Sequence, residues 1–191
     1  DKLQRTGHVV RDICPGSPGG KDWQPSAYSP RTHLLYIPHQ NICQDEEAVQ
    51  ASYIVGTPYV GAIVKMKPGP GGNRGAVTAW DPATAHARWT IKEDLPVWSG
   101  ALATAGDLVF YGTMDGWFKA VDANDGRLLW QYKTGSGIVG QPIAYRGPDG
   151  KQYVAVLSGV GGWAGAVVAG DLDTRDGSAA GGFGNLLGDL K

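Results

Sequence analysis

The stretch DLVFYGTMDGWFKAVDANDGRLLWQYK, residues 107–133, decides the fold class. Residues 107–113 form a short apolar run that ends at the turn residues MDG, and residues 117–123 alternate between apolar and polar side chains. A second turn, NDG at 124–126, leads into another alternating run at 127–133. Short strands joined by Asp-Gly turns form antiparallel meanders. The sequence therefore predicts an all-β fold.

This pattern of strands and turns is repeated along the chain. The segment AWDPATAHARW, which begins at Ala79, aligns without a gap with AVDANDGRLLW, which begins forty-one residues later at Ala120. The alignment places Trp89 over Trp130, and we predict that each of these tryptophans packs across the next repeat unit. Ala85 takes the place of a turn glycine in the first copy, which weakens that turn. A period near forty with four strands per unit is typical of a β-propeller.

The repeat predicts about three blades, around residues 24–41, where the copy is damaged, 75–112 and 116–158. A blade buries its faces against its neighbours, and three blades are too few to close a ring. We therefore expect residues 1–191 to be a portion of one larger propeller domain with an open ring. The first and last residues have the character of cuts within a longer protein, which fits this expectation.

The overall composition excludes several classes of partner. The net charge is −1 and no basic stripe is present, so a nucleic-acid partner is not expected. The sequence contains no run of eighteen apolar residues, so a transmembrane helix is not expected. Cys14 and Cys43 stand 29 residues apart, which fits neither a short metal-binding pair nor a CxxC redox site. Two buried thiols and one disulfide both remain possible, and a disulfide would indicate an oxidising compartment.

Several motifs in the same order resemble the quinoprotein alcohol dehydrogenases, the methanol and ethanol dehydrogenases that use pyrroloquinoline quinone (PQQ). They are VRDICPG at 10–16, MKPGPGG at 66–72, the docking repeat within 106–130, and GKQYVAVLSGVGGWAG at 150–165. The resemblance implies the C-terminal third of the large subunit of an eight-bladed periplasmic propeller. It also implies a Ca²⁺ or lanthanide ion beside the quinone and cytochrome c as electron acceptor. The cofactor would carry the redox chemistry, and the protein would orient it.

The resemblance assigns roles to individual residues. Trp163 and Gly162 in GVGGW would line the quinone pocket, Trp98 in PVWSG would line the same cavity, and Asp22 in GGKDW would bond the edge of the quinone. An Asp beside a tricarboxylated cofactor must be paired, protonated or turned away. The resemblance also implies a disulfide between Cys14 and Cys43. The catalytic base and the metal ligands of the family would lie upstream of this chain.

The resemblance therefore implies oxidation of a primary alcohol, of the methanol or ethanol type, to the aldehyde by hydride transfer to PQQ. The chain alone is expected to be inactive. One alternative is a non-catalytic propeller scaffold, and this class lacks the GVGGW loop and the Cys14/Cys43 segment. Another is a quinoprotein dehydrogenase with a different substrate or an added haem domain.

Overall fold

The computed structural model describes residues 3–50, 52, 55 and 61–161, and within these residues it contains β-strands and no helix. The strands are β1 (Val9–Ile13), β2 (Ala27–Ser29), β3 (Leu34–Gln40), β4 (Ile42–Ala48), β5 (Ala62–Pro68), β6 (Gly75–Asp81), β7 (His86–Glu93), β8 (Leu102–Ala103), β9 (Leu108–Gly112), β10 (Trp117–Asp122), β11 (Leu128–Lys133), β12 (Ile143–Arg146) and β13 (Gln152–Ala155). Every paired strand within a sheet is antiparallel. The predicted all-β class is confirmed.

The chain divides into two compact units. Among the described residues, the first contains 3–20, 42–50, 52, 55, 61–72 and 161, and the second contains 21–41 and 73–160. In the first unit, β4 lies between β1 and β5 in a three-stranded sheet. A disulfide joins Cys14 to Cys43 in this unit, which resolves the two possibilities left open by their spacing. We expect this disulfide to add about 3–4 kcal/mol to the free energy of unfolding, because it lowers the entropy of the unfolded chain.

The second unit contains two four-stranded sheets and a hairpin. One sheet has the order β2-β3-β6-β7, the next has the order β11-β10-β9-β8, and β12 pairs with β13. The strands predicted from the repeat at 107–113, 117–123 and 127–133 are present as β9, β10 and β11. Four-stranded meanders of this kind are the blades of a propeller.

The predicted boundaries of all three blades are wrong. Residues 24–41 are not a separate damaged blade, because β2 and β3 form one sheet with β6 and β7. The predicted units 75–112 and 116–158 are each divided between two sheets, since β8 and β9 pair with β10 and β11, whereas β12 pairs with β13. The reason is an insertion: β4 and β5 leave the first sheet after β3 and pair with β1 instead.

The two four-stranded sheets bury a shared apolar core. Its central members are Leu34, Tyr36, Val77, Ala79, Val97, Ala101, Val109, Tyr111, Val121 and Ala123. Trp89 packs against this core, stacks on Tyr36 with a centroid separation of 5.7 Å, and donates from Nε1 to the carbonyl oxygen of Ala123 at 3.1 Å. The predicted packing role of Trp89 across the next sheet is therefore confirmed.

Trp130 does not have an equivalent environment among the described residues. Its side chain is 48% exposed and contacts its own sheet, edge-on to Phe118 and stacked on Tyr132. Both residues that flank it on the opposite side of the strand, Leu129 and Gln131, are exposed as well. The packing of Trp130 on a next blade thus stays a prediction.

A partly buried polar cluster also joins the two sheets. The Lys119 ammonium contacts both carboxylate oxygens of Glu93, at 2.7 and 2.8 Å, and the Tyr111 hydroxyl donates to the same carboxylate at 2.6 Å. Burial, followed by the adjacent Glu93 charge, raises the pKa of Tyr111 far above its ordinary value. The phenol therefore stays protonated and acts as a donor, so each oxygen of the partly buried carboxylate has a partner.

Candidate functional site

The segment that carries Asp22 is held by bonds to its own main chain. The side-chain oxygen Oε1 of Gln24 accepts a hydrogen bond from the backbone N–H of Asp22 at 3.2 Å. The Lys21 ammonium donates to the backbone carbonyls of Asp22, at 3.4 Å, and of Gln24. Gln24 is fully buried, whereas Asp22 and Trp23 are exposed. Two adjacent exposed side chains, the anionic Asp22 and the aromatic Trp23, therefore lie on a stretch of backbone that hydrogen bonds hold in place.

Trp98 is held in the interior beside this segment. It lies between β7 and β8, is only 3% exposed, and donates from Nε1 to Oε1 of Gln40 at 2.5 Å. The next residue, Ser99, accepts from the backbone N–H of Gly112 at 2.7 Å and donates to the carbonyl of Gly100 at 3.0 Å. These bonds fix both the indole and the loop on which it sits.

Trp23 and Trp98 form an aromatic pair. Their ring centroids are 5.5 Å apart with an interplanar angle of 54°. Trp98 is the buried member, and Trp23 is 47% exposed. The pair brings together segments more than seventy residues apart in sequence and leaves an indole open for contact with another flat ring.

The backbone beside the aromatic pair is closely packed. The N–H of Ala101 donates to the carbonyl of Pro25 at 3.0 Å. A Cβ atom added to Gly100 would lie 2.8 Å from the Pro25 ring and 2.9 Å from Cγ of Gln141. Only glycine fits between these two neighbours. Three loops, which precede β2, β8 and β12, therefore meet at Gly100.

The charge at this site is carried by Asp22. Its carboxylate has no hydrogen bond or ion pair among the described residues, and its side chain is exposed. An Asp beside an anionic cofactor must be paired with a cation, protonated or turned away. Asp22 is not paired with a cation in the described part of the chain. The nearby cation of Lys21 is already bonded to two carbonyls.

Two of the four predicted cofactor-binding residues thus lie close together, Asp22 and Trp98. The other two, Gly162 and Trp163, lie outside the described residues. Trp23 and Gln24 were not among the residues predicted for this site. Trp23 directly follows Asp22 in the motif GGKDW, and this position was the available signal. Nothing in the sequence pattern marks Gln24, because its role depends on the turn that the chain makes here.

Neither a metal centre nor a membrane span is found where the structure describes the chain. Across residues 3–50, 52, 55 and 61–161, no group of three or more His, Cys, Asp or Glu side chains is arranged to hold an ion. The same residues contain no helix with the length and apolar character needed to cross a bilayer.

Comparison with known proteins identifies relatives of this chain. Residues 75–154 match the PQQ family described as glucose/ethanol/alcohol dehydrogenase, beta-propeller domain. A lanthanide-dependent methanol dehydrogenase of Methylacidiphilum fumariolicum is 53% identical over 179 residues, which are 92% of this chain and 29% of that protein. Subunit 1 of a cytochrome c methanol dehydrogenase of Methylobacterium organophilum is 41% identical over 88% of this chain and 28% of its own length.

A solved structure has the same fold over nearly the whole chain. A europium-containing methanol dehydrogenase superposes with a TM-score of 0.87 at 50% sequence identity, covering 99% of this chain and 33% of its own. The chain therefore spans about a third or less of the length of the proteins that it matches.

Proposed function

We propose that this chain, which belongs to the quinoprotein alcohol dehydrogenase family and matches part of its β-propeller, forms one side of a PQQ site in an enzyme that oxidises a primary alcohol to the aldehyde. The observation that carries the proposal is the pairing of Trp23 with Trp98 beside the exposed Asp22. It supports a site for a planar ligand at this point of the fold.

The described residues fit the ring system of the quinone better than its carboxylates. The half-exposed indole of Trp23, supported from behind by Trp98, offers a flat apolar contact. The exposed Asp22 carboxylate, which has no partner among the described residues, would repel a carboxylate of the ligand but would accept a hydrogen bond from an N–H or O–H donor. We therefore place Asp22 at a donor-bearing edge of the ring system, away from the ligand's own carboxylates.

In this proposal the chain supplies binding and orientation. Trp23 provides the stacking surface, Asp22 accepts a hydrogen bond from the edge of the ligand, and the bond between Trp98 and Gln40 keeps the supporting indole from turning. When bound, PQQ is the acceptor of the hydride from the alcohol. The resemblance implies that Gly162 and Trp163, which lie outside the described residues, also contact the quinone.

Other blades of the same subunit would cover an exposed apolar surface at β11–β13. Its large side chains are Leu128, Leu129, Trp130, Tyr132, Ile143, Tyr145 and Tyr153, each more than 40% exposed. Large apolar side chains exposed together on neighbouring strands are typical of packing interfaces in folded proteins. Together with the share of its relatives that the chain spans, it supports an active enzyme built from this chain and further blades.

The names of the relatives support a proposal for the metal and the electron acceptor, and the disulfide supports one for the compartment. The relative named as lanthanide-dependent is 53% identical, and the one named with cytochrome c is 41% identical. We accordingly favour a lanthanide over Ca²⁺, methanol as substrate, and a cytochrome c as acceptor. The Cys14–Cys43 disulfide supports the periplasm, since disulfides persist in oxidising compartments.

A chimera tests this function. In it, the chain replaces the matching segment of the Methylacidiphilum fumariolicum enzyme, and the purified protein receives PQQ and a lanthanide. We expect methanol-dependent reduction of an artificial dye by the chimera and none by the isolated chain. Trp23→Ala should reduce PQQ affinity, whereas Tyr28→Ala, an exposed aromatic on β2, should not. A folded chimera without PQQ binding, or turnover by the isolated chain, would reject the proposal.

A further inference from the structure

Gln24 combines complete burial with an incomplete set of hydrogen bonds. Its side chain has no solvent exposure, and its amide nitrogen Nε2 has no hydrogen-bond partner among the described residues. A buried polar group without a partner destabilises the folded state. An apolar side chain of the same length, such as Met, would fill this space without that cost. The sequence nevertheless places an amide here.

Among the described residues, the hydrogen bond of the Gln24 side chain is made to the segment that carries Asp22 and Trp23. Its Oε1 accepts from the backbone N–H of Asp22 at 3.2 Å. The Lys21 ammonium closes the same turn from the other side, through the carbonyls of Asp22 and Gln24. Beyond the turn, the carbonyl of Pro25 is bonded to Ala101 at 3.0 Å. The exposed Asp22 and Trp23 therefore lie on a short turn, and the buried side chain of Gln24 stabilises the backbone of this turn.

We infer that Gln24 is a positioning residue: its buried side chain fixes the main chain at Asp22, and thereby aims Asp22 and Trp23 at the bound quinone. This inference rests on the proposed function. Gln24 has no surface accessible to a ligand, so it acts through its neighbours and makes no contact with the quinone. Without the hydrogen bond from Asp22 to Gln24, the turn samples other conformations. The free energy needed to order the turn then reduces the free energy of ligand binding.

The test is Gln24→Met in the full polypeptide that carries this chain. Met keeps the length and apolar stem of Gln but cannot accept the bond from Asp22. The matched control is Gln44→Met, because Gln44 is equally buried and its Oε1 accepts from the backbone N–H of Ser17 at 2.7 Å, in the other unit. Two quantities are measured, the dissociation constant of PQQ from quenching of tryptophan fluorescence and hydrogen exchange of the peptide that spans residues 20–26.

We expect Gln24→Met to weaken PQQ binding by about tenfold and to speed exchange at residues 20–26, while Gln44→Met changes neither. Equal PQQ affinity in the wild type, Gln24→Met and Gln44→Met would overturn the inference and leave the proposed function standing. A folded wild type that binds no PQQ would overturn both. If Gln24→Met does not fold, Gln24→Asn, which keeps an amide but draws its oxygen back, replaces it with the same outcomes.

Discussion

The indole N–H of Trp89, on β7, donates to the main-chain carbonyl of Ala123 at 3.1 Å, at the end of β10 in the neighbouring sheet. The same carbonyl oxygen accepts from the Tyr36 hydroxyl at 3.0 Å. One acceptor in the second sheet thus joins two strands of the first. Trp130 occupies the same position in the repeat as Trp89. We therefore expect Trp130 to be buried when a further blade packs against it.

Trp89→Phe should lower the free energy of unfolding of this chain by about 1–3 kcal/mol, because it removes the bond to Ala123 and part of the stacking on Tyr36. The exposed Trp130 is the control, and Trp130→Phe should cost less than about 0.5 kcal/mol. Urea denaturation measures both. In a protein with further blades the two costs should become similar. A large cost for Trp130→Phe in the isolated chain would contradict the assignment of its exposed face.

Gly126→Ala should destabilise more than Gly150→Ala. Both glycines have positive φ, +75° and +77°, so both alanines carry the strain of the left-handed region, about 1–2 kcal/mol. Only at Gly126 would the new Cβ meet another group, the Trp89 ring at 2.9 Å, whereas Gly150 faces open space. The difference between the two denaturation midpoints isolates this contact. Equal destabilisation would show that Trp89 does not pack against the turn.

Lys119→Met should cost about 1–3 kcal/mol, because it leaves the largely buried Glu93 carboxylate with no cation. The double variant Lys119→Met/Glu93→Gln should recover much of this loss, since the uncompensated charge is then gone. The exposed pair of Lys151 and Asp149, 3.7 Å apart, provides the control. Lys151→Met should cost less than about 1 kcal/mol. Similar losses for the two lysine variants, measured by thermal and urea unfolding, would contradict this account.

His39 should make the stability of the chain depend on pH. Burial lowers the pKa of its imidazole, which bonds to the Thr78 hydroxyl at 2.9 Å. The unfolded chain therefore binds a proton more readily than the folded chain, and stability is lost as the pH falls below the unfolded pKa of about 6.5. His39→Gln should flatten this part of the pH profile. An unchanged slope of the pH profile in His39→Gln would rule out burial of His39 as the cause.

The repeat predicted the strands correctly because turn residues and alternation are local. It did not predict which strands share a sheet, since pairing of β3 with β6 crosses the inserted β4–β5 hairpin. The turn at Ala85 shows a related effect: its φ of +56° is the conformation of the glycine that it replaces, and the neighbouring strands maintain it. Tertiary pairing here overrides the preference of a single residue.

The candidate site was predictable only in part. The resemblance to a family led to Asp22 and Trp98, and the fold adds that Trp98 is buried while Trp23 presents its ring. Exposure of this kind depends on how distant loops meet, as at Gly100, and no local pattern records it. The bond from Asp22 to Gln24 likewise belongs to the folded turn.

The most direct test of the central claim is a structure of the full polypeptide with PQQ bound. The account predicts that the ring of the quinone lies within contact distance of Trp23, about 4 Å, and that an oxygen of Asp22 accepts a hydrogen bond from its edge. A quinone bound elsewhere, with Trp23 facing only water, would contradict the assignment of this site.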